Sequence, residues 1–252
     1  PDTLAAQLQR IAQRQSQVQD QMATGQLVVT ADEDPLLGQQ AVGLQDQSRT
    51  LEQFQTNAQV QKEFAGATFS VVRSLQKISD RAQEIATSAD GLKNPDELRI
   101  FAAEIAQLIK QAVQVSNAKH GDAYLLSGTR SDVAPFNAVT DENGLITAVD
   151  FAGNTNVPEV EIGFGQMVSA RVPGANASGS GERGLLSDTR AGADFFGHLI
   201  ALRDQLLSGD TEAIATTTRS QLQADEDNFL YHIANNGALQ STLGSALKAR
   251  EG

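Results

Sequence analysis

The feature that most constrains this chain is a pair of seven-residue repeats running side by side over residues 35–89. Leu44, Leu51, Ala58, Ala65 and Val72 recur every seven residues, and Phe64, Val71, Ile78 and Ile85 recur every seven beside them. One α-helix keeps such positions on a narrow face, because a spacing of about 3.5 residues nearly matches its turn of about 3.6. An apolar pattern this long without internal caps describes a long coiled-coil-type helix, interrupted if anywhere near Gly66.

The flanking segments continue the theme. Leu4, Leu8, Ile11, Val18 and Met22 alternate spacings of four and three, interrupted at Gln15, so residues 2–24 form a helix that Gly25 ends. Residues 27–30 lean towards strand. The acidic Asp32-Glu33-Asp34 follows, with Asp34 expected as the N-cap of a helix that carries Pro35 in its first turn. Residues 90–95 break the pattern. Leu98, Phe101, Ile105, Leu108, Ala112 and Val115 then mark a third helix, ending near His120-Gly121, with His120 favoured at its C-terminus by the helix dipole.

The middle of the chain changes character. Residues 123–173 favour strands, Asp141-Glu142-Asn143-Gly144 is expected as a type I′ hairpin turn, and short strands are expected over 157–162 and 167–172. Residues 174–184 read as a loop too polar to pack. Phe196, Leu199, Leu202 and Leu206 then mark a short helix, and Ser208-Gly209-Asp210 turns the chain. Ile214, Leu222, Phe229, Ile233, Leu239, Leu243 and Leu247 mark a final long helix, with Asn235-Asn236-Gly237 a soft spot. The expected fold is mainly α with a β insertion. A bundle of long antiparallel coiled-coil-like helices is built from both halves of the chain (1–129 and 185–252), and a small β-rich outer domain (130–184) projects from it.

Composition removes whole classes of function. Lys and Arg total 19 against 31 Asp and Glu, a formal charge of −12 with a pI near 4.6. Such a surface repels phosphate backbones and anionic lipid, so neither nucleic acid nor membrane is an expected partner. No run approaches the roughly 18 apolar residues needed to cross a bilayer, and residues 1–20 show no secretory signal. With no cysteine there is no disulfide, thiolate metal site or Cys nucleophile. His120, His198 and His232 show no metal-ligand spacing, so no catalytic residue, metal or cofactor is expected. The acidic 32–34 run lacks the alternating ligands of a calcium loop and reads as helix capping. Asn176-Ala177-Ser178 matches a glycosylation sequon. Glutamine occurs 26 times, 16 of them before Lys62. Helix faces this polar yet uncharged suit lateral packing between identical subunits.

Three passages together resemble the bacterial flagellin family, and within it the branch that forms the hook–filament junction. Met22-Ala23-Thr24-Gly25 followed by Ala31-Asp32-Glu33-Asp34-Pro35 is similar to the family's connection between its first two helices. Gly121-Asp122-Ala123-Tyr124-Leu125-Leu126-Ser127-Gly128-Thr129-Arg130, with Pro135-Phe136 after it, resembles the junction branch's G-x-Y-L-F-S-G-T passage, Leu126 standing where the family often has Phe. Leu243-Gly244-Ser245-Ala246-Leu247-Lys248 is similar to the carboxyl-terminal helix. Asp34-Pro35 favours the junction branch, while Glu33 departs from the common acidic pair.

The resemblance implies a non-enzymatic structural subunit exported through the flagellar type III channel and lying outside the cell. It implies self-association in a helical ring, contact with a neighbouring hook-associated protein and flagellin, and an export chaperone. It also implies a chain without the family's terminal inner-tube helices. Thr24, Gly25, Asp32, Asp34 and Pro35 in the first connection, and Tyr124, Ser127, Gly128 and Thr129 where bundle meets β domain, become candidate assembly or interdomain residues. A filament flagellin is the alternative within the family. A secreted glycan-binding adhesin is the alternative outside it.

Overall fold

The computed structural model describes residues 35–89, 91 and 93–248, together with Gln7, Arg10, Ile11, Ala12, Arg14, Gln15 and Gln19, which are helical. The chain divides into two compact units, Pro1–Glu52 and Gln53–Gly252. Helix α1 (Pro35–Ser88) begins at the proline that the sequence marked. It is continuous through Gly66, where an added Cβ would meet nothing. In the first unit Leu44 of this helix remains 66% exposed.

In the second unit the buried residues trace an unbroken four–three seam: Phe54, Ala58, Gln61, Ala65, Thr68, Val72, Leu75, Ser79, Ala82, Ala86 and Ala89. Val71, Ile78 and Ile85 are buried beside it. The many alanines let neighbouring backbones approach closely, so the seam is narrow.

Helix α2 (Pro95–Ser116) starts at a capping box: the Asn94 side chain accepts from the amides of Asp96 and Glu97, and Glu97 accepts from the Asn94 amide. It ends at Ser116, short of the His120-Gly121 end that its periodicity suggested. The cause is Asn117, whose side chain donates to the Phe136 carbonyl at 2.7 Å and accepts from its amide at 2.9 Å. That exchange draws the chain into a hairpin, β1 (Lys119–His120) against β2 (Ala123–Tyr124). His120 is therefore a hairpin residue rather than a helix end, and its ring lies edge-on to Phe64 at 4.8 Å.

Two hairpins follow. Strands β3 (Phe136–Thr140) and β4 (Ile146–Phe151) are antiparallel. Their turn is not type I′, because no described non-glycine residue has positive φ and only Gly144 (φ 76°) does. Asp141 instead accepts from the Gly144 amide through its carbonyl and from the Asn143 and Leu145 amides through its carboxylate, giving a three-residue loop that ends at a left-handed glycine. Strands β5 (Val160–Gly163) and β6 (Gln166–Val168) occupy less than the expected 157–162 and 167–172. This hairpin lies along α1: Phe164 meets Phe54 edge-on at 5.2 Å, Asn57 donates to the Glu161 carbonyl, and Gln61 accepts from the Ala170 amide.

Short strands β7 (Ala175–Asn176), β8 (Ser187–Asp188) and β9 (Ala193–Asp194) form one sheet, β7 parallel and β9 antiparallel to β8. Asp194 caps helix α3 (Phe195–Ser208), which Gly209 ends at φ 75°. A helical turn (Thr211–Ala213) and a π-helical turn (Ile214–Thr218) lead into α4 (Arg219–Lys248), which runs through Asn235-Asn236-Gly237 without a break.

Contacts fix the helix directions. Arg81 of α1 pairs with Glu104 of α2, while Phe64 lower on α1 meets His120 beyond the far end of α2, so the two helices are antiparallel. Helix α4 is antiparallel to α1 in the same way. Arg219 caps the Ala86 and Thr87 carbonyls, Gln83 donates to Glu226, and Asn236 donates to the Ala65 carbonyl. The main core gathers around Leu75, Ile105, Phe195 and Phe229, and a smaller one holds Ala58, Ala65, Ile162, Ala170 and Leu243. Among the described residues no helix is long and apolar enough to cross a membrane.

Candidate functional site

Four backbone segments from distant parts of the chain meet beside the helices. The Gly174 amide donates to the Leu126 carbonyl, the Leu186 amide to the Gly174 carbonyl and the Phe195 amide to the Leu186 carbonyl, each at 2.8 Å. Residues leaving α2 are thus tied, rung by rung, to those entering α3. Leu125, Leu126, Leu185, Leu186 and Phe195 are buried along this plate.

Tyr124, Ser127, Gly128 and Thr129 lie together on its first segment. The Tyr124 amide donates to the Ser131 carbonyl at 2.9 Å, and Lys119 sits 4.4 Å from the Tyr124 ring centre. Ser127 is fully buried; its hydroxyl donates to the Tyr124 carbonyl and its carbonyl accepts from the Asn154 amide. Gly128 has φ 67°, and a Cβ there would lie 2.3 Å from both Asn154 oxygens and 2.9 Å from the Asn156 carbonyl. Only glycine fits. The Asn154 side-chain oxygen accepts from the Thr129 and Asn156 amides, closing the loop over this contact.

The 174–184 loop, read from sequence as too polar to pack, is organised by its polar groups. Asn176 is 1% exposed; it accepts from the Ser178 amide and hydroxyl and donates to the Ser180 and Glu182 carbonyls. The sequon asparagine is thereby buried and bonded. A Cβ on Gly184 would lie 2.2 Å from the Ser187 carbonyl oxygen. Asp188, fully buried, accepts from the Gly184 amide, the Arg190 amide and the Arg190 guanidinium. Burial alone would raise its pKa, but the Arg190 side chain and these amides together hold it down at about 2.

Helix α4 reads the plate with polar side chains placed on its own seam. Asp225 accepts from the Asp194 amide and from His198 at 2.7 Å. Burial pushes the Asp225 pKa up against the pull of His198. For His198, burial is outweighed by the hydrogen bond and charge of Asp225, and its pKa is raised. Asn228 donates to the Gly184 and Leu185 carbonyls at 2.9 and 2.8 Å, and the His232 ring nitrogen lies 3.2 Å from the Gly184 carbonyl oxygen. Burial pushes the His232 pKa down to about 4, so the ring is neutral at neutral pH. Among the described residues no three His, Asp or Glu side chains group as a metal site.

Of the other candidates, Pro35 opens α1, and Thr24, Gly25, Asp32 and Asp34 lie outside the described residues. Sequence reasoning missed Asn117, Asn154, Asn176, Asp188 and Asn228, each a short polar side chain bonded to backbone. Read from sequence only as a break, Asn94-Pro95-Asp96-Glu97 forms the α2 cap, and nothing local signals the long-range amides.

The flagellin family model, described as the bacterial flagellin N-terminal helical region, matches residues 3–131. Flagellar hook-associated protein 3 of Escherichia coli (strain K12) is 27% identical over 119 residues, 46% of this chain and 38% of that protein. The chain thus spans well under half the length of this curated relative. A proposed flagellar hook-associated protein of Vibrio parahaemolyticus superposes with a TM-score of 0.71 at 18% identity, covering 87% of this chain and 93% of the other. The crystal structure of Xanthomonas campestris FlgL gives 0.66 at 14% identity, covering 82% and 96%. The flagellar junction protein FlgL of Legionella pneumophila gives 0.62 at 16%, covering 86% and 97%. These likenesses concern the fold.

Proposed function

This chain belongs to the bacterial flagellin family, and from that premise we propose that it is a structural subunit of the flagellum, forming the junction ring between hook and filament. The observation that carries the reading is the likeness of fold, over nearly the whole length of the matched structures, to flagellar junction proteins. The family is structural, and no catalytic step enters the proposal. The subunit acts outside the cell after export through the flagellar type III apparatus. It associates with copies of itself in a helical ring and with a neighbouring hook-associated protein and flagellin, and an export chaperone accompanies it before assembly.

Division into a helical rod (1–129 and 185–252) and an outer β-rich part (130–184) belongs to the same proposal. Thr24, Gly25, Asp32, Asp34 and Pro35 would shape the first connection. Tyr124, Ser127, Gly128 and Thr129 would fix the angle at which the β segments leave the helices. The backbone bonds that tie the segment leaving α2 to that entering α3 support this role: a subunit between a curved and a stiffer tube transmits torque only if its own parts do not slide. The matching family model is that of flagellin itself, which favours filament subunit as the second reading.

Gene deletion separates the readings. Bare hooks with flagellin monomers shed into the medium are expected for the junction role. Bare hooks without shed flagellin would make the chain the filament subunit. Normal flagella and motility, with no paralogue to compensate, would overturn both.

A further inference from the structure

A cavity of about 140 Å³ opens between α1, the segment after β6, the 182–183 turn and α4. Thr68, Arg171 and Arg183 are among its lining residues, and the Thr68 hydroxyl, Nη1 of Arg171 and Nε of Arg183 are buried atoms with no hydrogen-bond partner. Thr68 itself is 1% exposed. Both guanidinium groups are held against aromatic faces, Arg171 at 4.7 Å from the Phe64 ring centre and Arg183 at 4.4 Å from that of Tyr231. Stacking fixes their planes without using their N–H donors. Among the described residues neither forms an ion pair.

The remaining groups leave the charge uncancelled. Glu182 lines the rim but is exposed and bonded to neither arginine through its carboxylate. Nearby Asp188 is committed to Arg190 and to backbone amides. His232 is neutral and already bonded to the Gly184 carbonyl. Desolvation lowers the Arg171 pKa, the response of a cation without a counterion. Buried donors with no acceptor are costly, and a planar guanidinium pairs best with a planar forked anion.

We infer that this cavity is a binding site for a carboxylate, held between Arg171 and Arg183 with the Thr68 hydroxyl as a third donor. The carboxylate comes either from a small free acid or from an acidic side chain of a neighbouring copy of this chain; the second source rests on the assembly reading above, the first does not.

The test is calorimetric titration of the chain with malonate against chloride at matched ionic strength. Malonate binding at one site is expected, weakened about tenfold or more in R171Q and in R183Q, since a hydrogen bond to a charged group contributes roughly 1.5–3 kcal/mol. T68V, which preserves shape and removes a buried unpaired hydroxyl, is expected to fold at least as stably and to bind more weakly. It keeps the test decisive if an arginine variant fails to fold. Sedimentation velocity distinguishes the sources: self-association that malonate disperses points to a neighbour's side chain, and affinity independent of protein concentration points to the free acid. No malonate binding beyond that of chloride, together with sedimentation unaffected by malonate, would overturn the inference whatever the standing of the assembly proposal.

Discussion

Two glycines after α2, one in the β1–β2 turn and one in the loop beyond β2, make a controlled experiment. Gly121 (φ 59°) and Gly128 (φ 67°) share the left-handed conformation, and alanine at either carries the same backbone penalty of about 1–2 kcal/mol. Their surroundings differ. A Cβ on Gly121 meets nothing within 4 Å, whereas on Gly128 it would sit 2.3 Å from the Asn154 carbonyl and side-chain oxygens. A backbone oxygen cannot swing aside, so Gly128→Ala must displace the 154–156 loop and its bonds to Ser127 and Thr129, adding roughly 1–3 kcal/mol of overpacking. Gly121→Ala should therefore destabilise by about 1 kcal/mol and Gly128→Ala by about 3 kcal/mol. Urea unfolding followed by circular dichroism measures both, and amide exchange at Asn154 reports the local opening. Equal costs for the two variants, within about 0.5 kcal/mol, would show that the close approach at Gly128 carries no energy and that the plate is looser than argued.

Further expectations follow from single groups. His232 has a folded pKa of about 4, below its ordinary 6.5, so the unfolded chain binds the extra proton between those values and stability must fall with pH across that window. Wild type should lose roughly 3 kcal/mol between pH 7 and pH 4 that H232Q does not, measured by denaturant midpoints. Asp188, held at about 2, adds about 2 kcal/mol that is present above pH 3.8 and lost as pH falls towards 2; D188N should be destabilised at pH 7 and match wild type near pH 2. Gly237→Ala, in mid-helix with open space around its Cα, should stabilise α4 by roughly 0.5–1 kcal/mol in thermal unfolding. Asn94→Ala removes the α2 capping box and should cost about 1 kcal/mol in the same assay.

Helices were legible where their core was apolar. The seven-residue repeats placed α1 to within a residue of its observed end, and Gly209 marked the end of α3. What stayed hidden was the polar part of the core. The seam of α4 runs through Leu222, Asp225, Phe229, His232, Asn236 and Leu243, so half of these positions look solvent-facing to any hydrophobic count. They are inside because backbone elsewhere presents carbonyls and amides for them to bond. Periodicity records one helix at a time, while these bonds depend on partners such as Ala65, Gly184 and Asp194. The same blindness made the 174–184 loop look unpackable, and it let His120 be counted with a helix that Asn117 had already ended. At the candidate site the S-G-T run marks Ser127, Gly128 and Thr129 in the sequence. Its meaning as a close backbone crossing needed Asn154, which no local pattern announces.

The reach of α4 has a consequence for the order in which the chain can fold. Along residues 58–65 the α1 seam lies beyond the end of α2, and its cover is Ile162, Ala170 and Leu243, with Asn236 completing the Ala65 carbonyl. Those partners arrive roughly a hundred or more residues later, and closing loops of that size is slow compared with zipping neighbouring helices. A chain delivered from its N-terminus can therefore form the α1–α2 hairpin early but covers residues 58–65 only in part, through Ile162 and Ala170, until Asn236 and Leu243 of α4 arrive. A truncation of α4 before Asn236 should therefore leave a protein that is helical but sticky along residues 58–65.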